Sequence, residues 1–245
     1  MNIPRIIHQT WKDRKTPERF RAFTDSWKRH HPSWEYRLWD DDDNRRFIQE
    51  KFPWFARLYN NYSLNIQRAD SVRYFILYAY GGFYVDLDFE CLRSVEPLLK
   101  ERECVFGIET STHAQYHYLD RIISNAFMAA APGNPFFHAI IKDLITSVPI
   151  AQERNRFVLE TTGPLMINRV YNGYNDKDRI TLMASRYLFP LDYEEAEQHL
   201  NGQDTEVIRQ KLKDAYAIHY HWGSWWKGDG RIPKRNTVGD GDYTG

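Results

Sequence analysis

Two aspartates one residue apart, Asp86 and Asp88, stand at the end of the run Phe83-Tyr84-Val85-Asp86-Leu87-Asp88-Phe89. The aromatic and β-branched residues of this run predict a strand over 83–89. On a strand, residues i and i+2 share a face about 6–7 Å apart. Two carboxylates aimed at one side suit a hard divalent cation, which takes oxygen ligands and keeps positions for water or phosphate oxygens. A cation held there could clamp a diphosphate and act as a Lewis acid while a bond to phosphate breaks. The same spacing also suits a strand end whose aspartates cap the next turn. Position favours the metal reading. A helical pattern over Asn65 to Tyr80 stops at Gly81-Gly82, and carboxylates at the C-terminal end of the strand that follows lie where open α/β sheets bind ligands.

The helix before this strand carries Arg68, Asp70 and Arg73. Asp70 and Arg73 are one turn apart and share a face. On a solvated face they would be a weak ion pair, but Arg73 leads into the apolar run Tyr74-Phe75-Ile76-Leu77, and a half-buried Arg needs a fixed anion. That anion is Asp70, one of the paired aspartates or a donor phosphate. A second block lies far along the chain, Ile218-His219-Tyr220-His221-Trp222-Gly223-Ser224-Trp225-Trp226-Lys227. Its imidazoles could ligate a metal, Ser224 could add an oxygen, an indole could close over a donor, and Lys227 could meet phosphate. An aromatic strand end with satisfied core histidines is the plain alternative.

The elements that would position these residues alternate strand and helix. Strands are predicted at Arg5 to Trp11, Glu35 to Trp39, Val105 to Ile108, Asn125 to Ala130 and Ala215 to Tyr220, besides 83–89. Helices are predicted at Pro17 to His30, Asn44 to Phe52, Asn65 to Tyr80, Pro135 to Ser147 and Gly163 to Tyr171. The four aspartates Asp40 to Asp43 read as a turn and helix N-cap. Alternation of this kind predicts an α/β domain with a largely parallel sheet.

The chain of 245 residues, 42% hydrophobic, suffices for one sizeable domain. Lys plus Arg balance Asp plus Glu at 33 each, which argues against a nucleic-acid partner. The 8 Trp, 16 Tyr and 14 Phe can build a core and also serve as platforms for sugar and base faces. Cys91 and Cys104 have neither zinc spacing nor a disulfide framework, and read as buried thiols in a reducing compartment. The N-terminus lacks the apolar region of a signal peptide, and the longest apolar stretch, Tyr74 to Val85, is too short to span a bilayer core of about 30 Å. The expectation is a cytoplasmic protein, at most peripheral to a membrane surface, with a domain over 1–226 and a flexible tail over 227–245.

With these motifs in place, the sequence resembles glycosyltransferase family 32, the family with the DXD sugar-binding region, and its mannosyltransferase and capsular-polysaccharide branches. Four blocks carry the resemblance: Pro4 to Trp11; Trp39-Asp40; Arg68 to Tyr74 continuing through Tyr80 to Asp88; and His221 to Trp225. It implies a GT-A type fold, Mn²⁺ or Mg²⁺, and transfer of a hexose with retention from a nucleotide-sugar donor, GDP-mannose first and a UDP-hexose next. The acceptor would be a glycan or glycolipid hydroxyl. By position, Gln9, Thr10 and Trp11 would line the donor site, Trp11 stacking on the base. Asp70 and Arg73 would hold sugar hydroxyls and phosphate, and Tyr84 would line the pocket. Asp86 and Asp88, with His221 and Ser224, would hold the metal, and Trp225 or Trp226 would reach the leaving diphosphate. The blocks Ile123 to Met128 and Glu160 to Pro164 also look family-like, which puts Asn125, Glu160 and Gly163 on the acceptor side. Three other functions remain open: a carbohydrate-binding protein of the same fold with weak catalysis, a glycoside hydrolase using the paired aspartates as acid and base, and a sugar nucleotidyltransferase, which would release pyrophosphate instead of a nucleoside diphosphate.

Overall fold

The computed structural model describes residues 2–147 and 153–222. The chain begins with β1 (Ile6–Thr10), α1 (Glu18–His30) and β2 (Glu35–Trp39), followed by α2 (Asp41–Lys51), α3 (Pro53–Asn61) and α4 (Asn65–Tyr80). Then come β3 (Gly82–Val85), β4 (Phe89–Cys91), α5 (Glu96–Leu99), β5 (Cys104–Ile108), α6 (Ser111–Tyr116), β6 (Ile123–Ala130) and α7 (Pro135–Thr146). The last part holds α8 (Arg154–Thr161), α9 (Pro164–Gly173), β7 (Thr181–Met183), α10 (Ser185–Leu188), α11 (Tyr193–Leu200), α12 (Glu206–Leu212) and β8 (Ala217–His219).

Six strands form one sheet in the order β2-β1-β3-β6-β5-β7. All but β6 run the same way, because β3 and β5 each pair antiparallel with it while the other pairings are parallel. The expected mostly parallel sheet is therefore present. Its C-terminal edge gathers the end of β3, the end of β5 and the start of β6. Period-two alternation splits the core: Tyr84, Met128 and Ala130 face the layer of α2, α3, α4, α7 and α9, whereas Phe83, Val85, Phe127 and Ala129 face the layer with Trp27 of α1. The four aspartates act as predicted. Asp40 caps α2, accepting from the Asp43 N–H at 2.8 Å, while the Asp43 carboxylate accepts from the Asp40 N–H at 3.2 Å.

The predicted strand over 83–89 is interrupted. Strand β3 ends at Val85, the chain turns through Asp86 to Asp88 with Phe89 N–H donating to the Asp86 carbonyl at 3.2 Å, and β4 leaves in a new direction. There β4 pairs antiparallel with β8 in a separate two-stranded ribbon. The segment Ala215 to Tyr220 thus holds a strand, but one that joins this ribbon rather than the main sheet. Helix α3 was not expected; Pro53 starts it, at the first helical position where proline is tolerated. Cys91 and Cys104 are buried free thiols. Among the described residues no helix is long and apolar enough to cross a membrane.

Candidate active site

Helix α4 and strand β3 form a hairpin that brings distant residues level. Arg73 lies about 12 Å down the helix from Gly81, and Asp86 lies about 16 Å back up the strand side. The reversal needs glycine: Gly81 and Gly82 have φ of 64° and 90°, and a β-carbon on Gly82 would stand 2.5 Å from the Ile6 carbonyl oxygen. Below this turn the His8 imidazole Nε2 donates to the Gly81 carbonyl at 3.0 Å, while Nδ1 accepts from Trp39 Nε1 at 3.1 Å.

Asp86, Asp88 and His219 bring one ligand atom each within 4.8 Å of one another. The aspartates converge through the turn, not the strand pleat assumed from sequence. Asp88 is gripped by the β8 segment: its Oδ1 lies 3.2 Å from His219 Nε2, its Oδ2 accepts from the Trp222 N–H at 2.8 Å, and its carbonyl accepts from the Tyr220 N–H at 3.0 Å. Burial alone would raise the Asp88 pKa, but His219 and the Trp222 N–H outweigh it and hold the carboxylate below its usual range. Burial works against protonated His219 as well, and Asp88 overcomes that, leaving its pKa raised. Asp86 keeps 28% of its side chain exposed, so the group opens to solvent on its side. Burial raises the Asp86 pKa against the pull of Arg73, with the Asp88 charge adding to the rise.

Around Asp86 stands a shell of residues that sequence reasoning assigned to the donor. Arg73 is 4% exposed and its guanidinium is spent on protein. It donates to the Ala69 and Asn125 carbonyls at 3.2 and 3.0 Å, and pairs with Asp70 at 3.0 Å and Asp86 at 3.1 Å. It also lies 4.6 Å over the Tyr84 ring. Tyr84 OH donates to Asp86 Oδ1 at 2.8 Å and sits 2.8 Å from Thr10 Oγ1. Gln9 Nε2 donates to the Asp86 carbonyl at 3.2 Å while its Oε1 accepts from Tyr36 OH at 2.7 Å. All four are buried in this network: Arg73 and Tyr84 hold the Asp86 carboxylate, Gln9 holds its backbone carbonyl, and Thr10 meets the Tyr84 hydroxyl.

Asp70 completes the inner layer. It accepts from Asn125 Nδ2 at 3.0 Å and Thr162 Oγ1 at 3.1 Å, and burial pushes its carboxyl up to about 7 against the opposing Arg73 charge. Asn125 therefore lies in the site. The Glu160 side chain pairs with Arg156 on α8, and Gly163 serves a close approach, since a β-carbon there would come 2.9 Å from Leu159 Cα. Thr162, inside the Glu160–Pro164 block but not singled out there, is the residue of that block that reaches Asp70. Nothing in its local sequence distinguishes it from Thr161, and only the fold delivers it to Asp70.

The remaining predictions fall unevenly. Trp11 is 6% exposed and packs edge-on against Phe20 at 5.2 Å. His221 stands beside the cluster without joining it. Its ring is 4.0 Å from that of His219 and 4.4 Å from that of His113, and burial, then the His219 charge, depress its pKa. Among the described residues, His219 is the imidazole within the cluster. Ser224, Trp225, Trp226 and Lys227 lie outside the described residues.

A protein family described as a glycosyltransferase sugar-binding region containing a DXD motif matches residues 17–105. Inositol phosphoceramide mannosyltransferase 3 of Schizosaccharomyces pombe is 39% identical over 172 residues, covering 70% of this chain and 46% of that protein. Mannosyl phosphorylinositol ceramide synthase CSH1 of Saccharomyces cerevisiae is 36% identical over 192 residues, covering 78% and 48%. The chain spans about half the length of these curated relatives. In three dimensions it is similar to the PaToxG glycosyltransferase, with a TM-score of 0.52 over 88% of this chain and 89% of that one at 15% identity, which shows the GT-A type fold. Since the matched region contains both the aspartate turn and the helix that braces it, the chain belongs to glycosyltransferase family 32, the family of the DXD sugar-binding region, and is mannosyltransferase-like in sequence.

Proposed function

We propose that the protein is a retaining glycosyltransferase that moves a hexose from a nucleotide-sugar donor to a hydroxyl of a glycan or glycolipid, with a divalent cation held by Asp86, Asp88 and His219. The observation that carries this reading is the convergence of two carboxylates and an imidazole at the C-terminal edge of the sheet, the place where such sheets take ligands. The donor set fits Mn²⁺ or Mg²⁺: two hard oxygens, one imidazole, and a buried His219 Nδ1 without a partner among the described residues. When bound, the cation would neutralise charge on the leaving diphosphate as a Lewis acid.

The chain's own residues would do the rest. Arg73, Tyr84 and Gln9 would hold Asp86 in one orientation, so no reorganisation is needed during transfer. Retention fits the state of the carboxylates. Asp70 is taken up by Arg73, Asn125 and Thr162, and Glu109 by His113, leaving neither free as a nucleophile. A front-face displacement, in which the departing phosphate oxygen accepts the acceptor's proton, asks for none. The hydrolase alternative fits less well, because Asp86 and Asp88 share one turn and one cluster rather than flanking a bond from opposite sides.

Mannose is the sugar to test first, given the relatives' names, and a phosphoinositol-containing glycolipid is one acceptor to test. The deciding experiment is nucleotide release from GDP-mannose, UDP-glucose, UDP-galactose and UDP-N-acetylglucosamine, each with Mn²⁺ and with EDTA. Cation-dependent turnover of one donor, lost in Asp88→Asn, is expected. Turnover of every donor at the same rate in EDTA would sink the proposal, and complete silence would favour the binding-protein alternative.

A further inference from the structure

The connection between β5 and β6, residues 109–122, crosses the same sheet edge as the aspartate turn. Its base is fixed. Glu109 N–H donates to the Ile122 carbonyl at 3.0 Å, and the Glu109 carboxylate holds His113 Nδ1 at 3.2 Å. The His113 ring lies 4.4 Å from that of His221, which in turn lies 4.0 Å from that of His219 in the cation cluster. Helix α6 is therefore anchored beside the candidate transfer centre and leads away from it.

The far end of α6 is built at a cost. Leu119 N–H donates to the Ala114 carbonyl at 2.9 Å and Tyr118 N–H to the Gln115 carbonyl at 3.0 Å. This pair of bonds requires a left-handed residue between, a place glycine usually fills. Here it is Tyr118, at φ 57°. A side chain in that conformation costs roughly 1–2 kcal/mol. No packing offsets it, because Tyr118 is 95% exposed. A large ring that strains the backbone and stays in water is explained by something that covers it, and strain of this kind gathers at ligand sites. Tyr116, 47% exposed, stands nearby on the same helix.

We infer that Tyr118 is the platform of a carbohydrate shelf, and that its ligand is a pyranose ring of the acceptor; this rests on the glycosyl-transfer reading above. Tyr118 lies less than two helical turns beyond His113, about 8 Å along the axis, and the His221 ring separates His113 from the cluster, so the shelf would take a sugar unit of the acceptor beyond the one that reacts. A phenol ring presents an apolar face and a hydroxyl handle, which suits the C–H face and rim hydroxyls of a pyranose. A membrane surface is the less favoured occupant. Over 111–122 the formal charges are one Asp120 and one Arg121, and the exposed residues include no aliphatic wedge or basic cluster.

The test is saturation-transfer NMR on the full chain with methyl α-mannopyranoside, methyl α-glucopyranoside and methyl α-galactopyranoside. The proteins compared are wild type, Tyr118→Ala, Tyr118→Trp and Tyr118→Gly. Transfer to ring C–H protons of at least one glycoside is expected in wild type and Tyr118→Trp, with affinity falling about fivefold or more in Tyr118→Ala. Tyr118→Gly should lose binding while its melting temperature rises, separating the ring's use from the strain it imposes. Equal binding in Tyr118→Ala, or no binding of any glycoside by wild type, overturns the shelf. So does Tyr118-dependent sedimentation with phosphatidylcholine vesicles in place of sugar binding. Cation-dependent nucleotide release by wild type is read in the same preparation; its absence counts against the transferase reading, whereas loss of sugar binding alone counts against the shelf.

Discussion

Arg73 and Asp86 sit 13 residues apart in the chain, on opposite arms of the helix–strand hairpin, and Arg73 Nη1 lies 3.1 Å from Asp86 Oδ1. The same guanidinium holds Asp70 at 3.0 Å, so one cation organises a buried carboxylate and a half-buried one. Removing it leaves both uncompensated. Arg73→Met should destabilise the protein by about 3–5 kcal/mol in urea denaturation. Arg73→Lys keeps the charge but loses the fork that reaches Ala69, Asn125, Asp70 and Asp86 together, and should also fall well short of wild type.

Tyr84→Phe is the milder probe of the same shell. It deletes one hydroxyl that links Thr10 to Asp86 and leaves the ring under Arg73. Folding stability should drop by about 1–2 kcal/mol. Affinity for Mn²⁺ should drop about tenfold or more, as expected when a partner that orients a ligand is removed. Unchanged Mn²⁺ affinity would show that Asp86 keeps its orientation without Tyr84.

His8 predicts acid sensitivity. Burial pushes its imidazole down to about 4 from an ordinary 6.5. Its hydrogen bonds agree: Nδ1 must accept from Trp39, so a proton there would face another donor. The folded chain therefore binds fewer protons at His8 than the unfolded chain does. Stability from this group is complete above about pH 6.5, declines as pH falls toward 4 and is lost below, for about 3 kcal/mol in all. Denaturation midpoints for wild type and His8→Gln, measured between pH 7 and pH 4, check this. The variant should be weaker at pH 7 yet show a shallower loss on acidification.

Much of this site could be read before folding. Helix 65–80 and its glycine stop are local signals and appear where spacing put them; the Asp86–Asp88 pair does converge, but through a turn rather than on a strand face. The turn that ends β3 at Val85 is not local, because β4 owes its direction to pairing with β8, and Phe89 meets His219 across most of the chain. For the same reason the sequence offered no way to choose between His219 and His221. Donor roles for Gln9, Thr10, Arg73 and Tyr84 came from position in a motif, and motif position does not say whether a polar side chain faces a ligand or braces a neighbour. Trp11 has the composition of a base platform, but its packing against Phe20 is decided by α1, which the motif does not include.

The most direct test of the cation cluster is a Mn²⁺ titration, followed by electron paramagnetic resonance, on wild type, Asp88→Asn, His219→Ala and His221→Ala, with folding of each verified by its denaturation midpoint. The account predicts binding by wild type, its loss in Asp88→Asn, a fall of about tenfold or more in His219→Ala, and a smaller effect in His221→Ala. Mn²⁺ binding by folded Asp88→Asn as tight as that of wild type would contradict it.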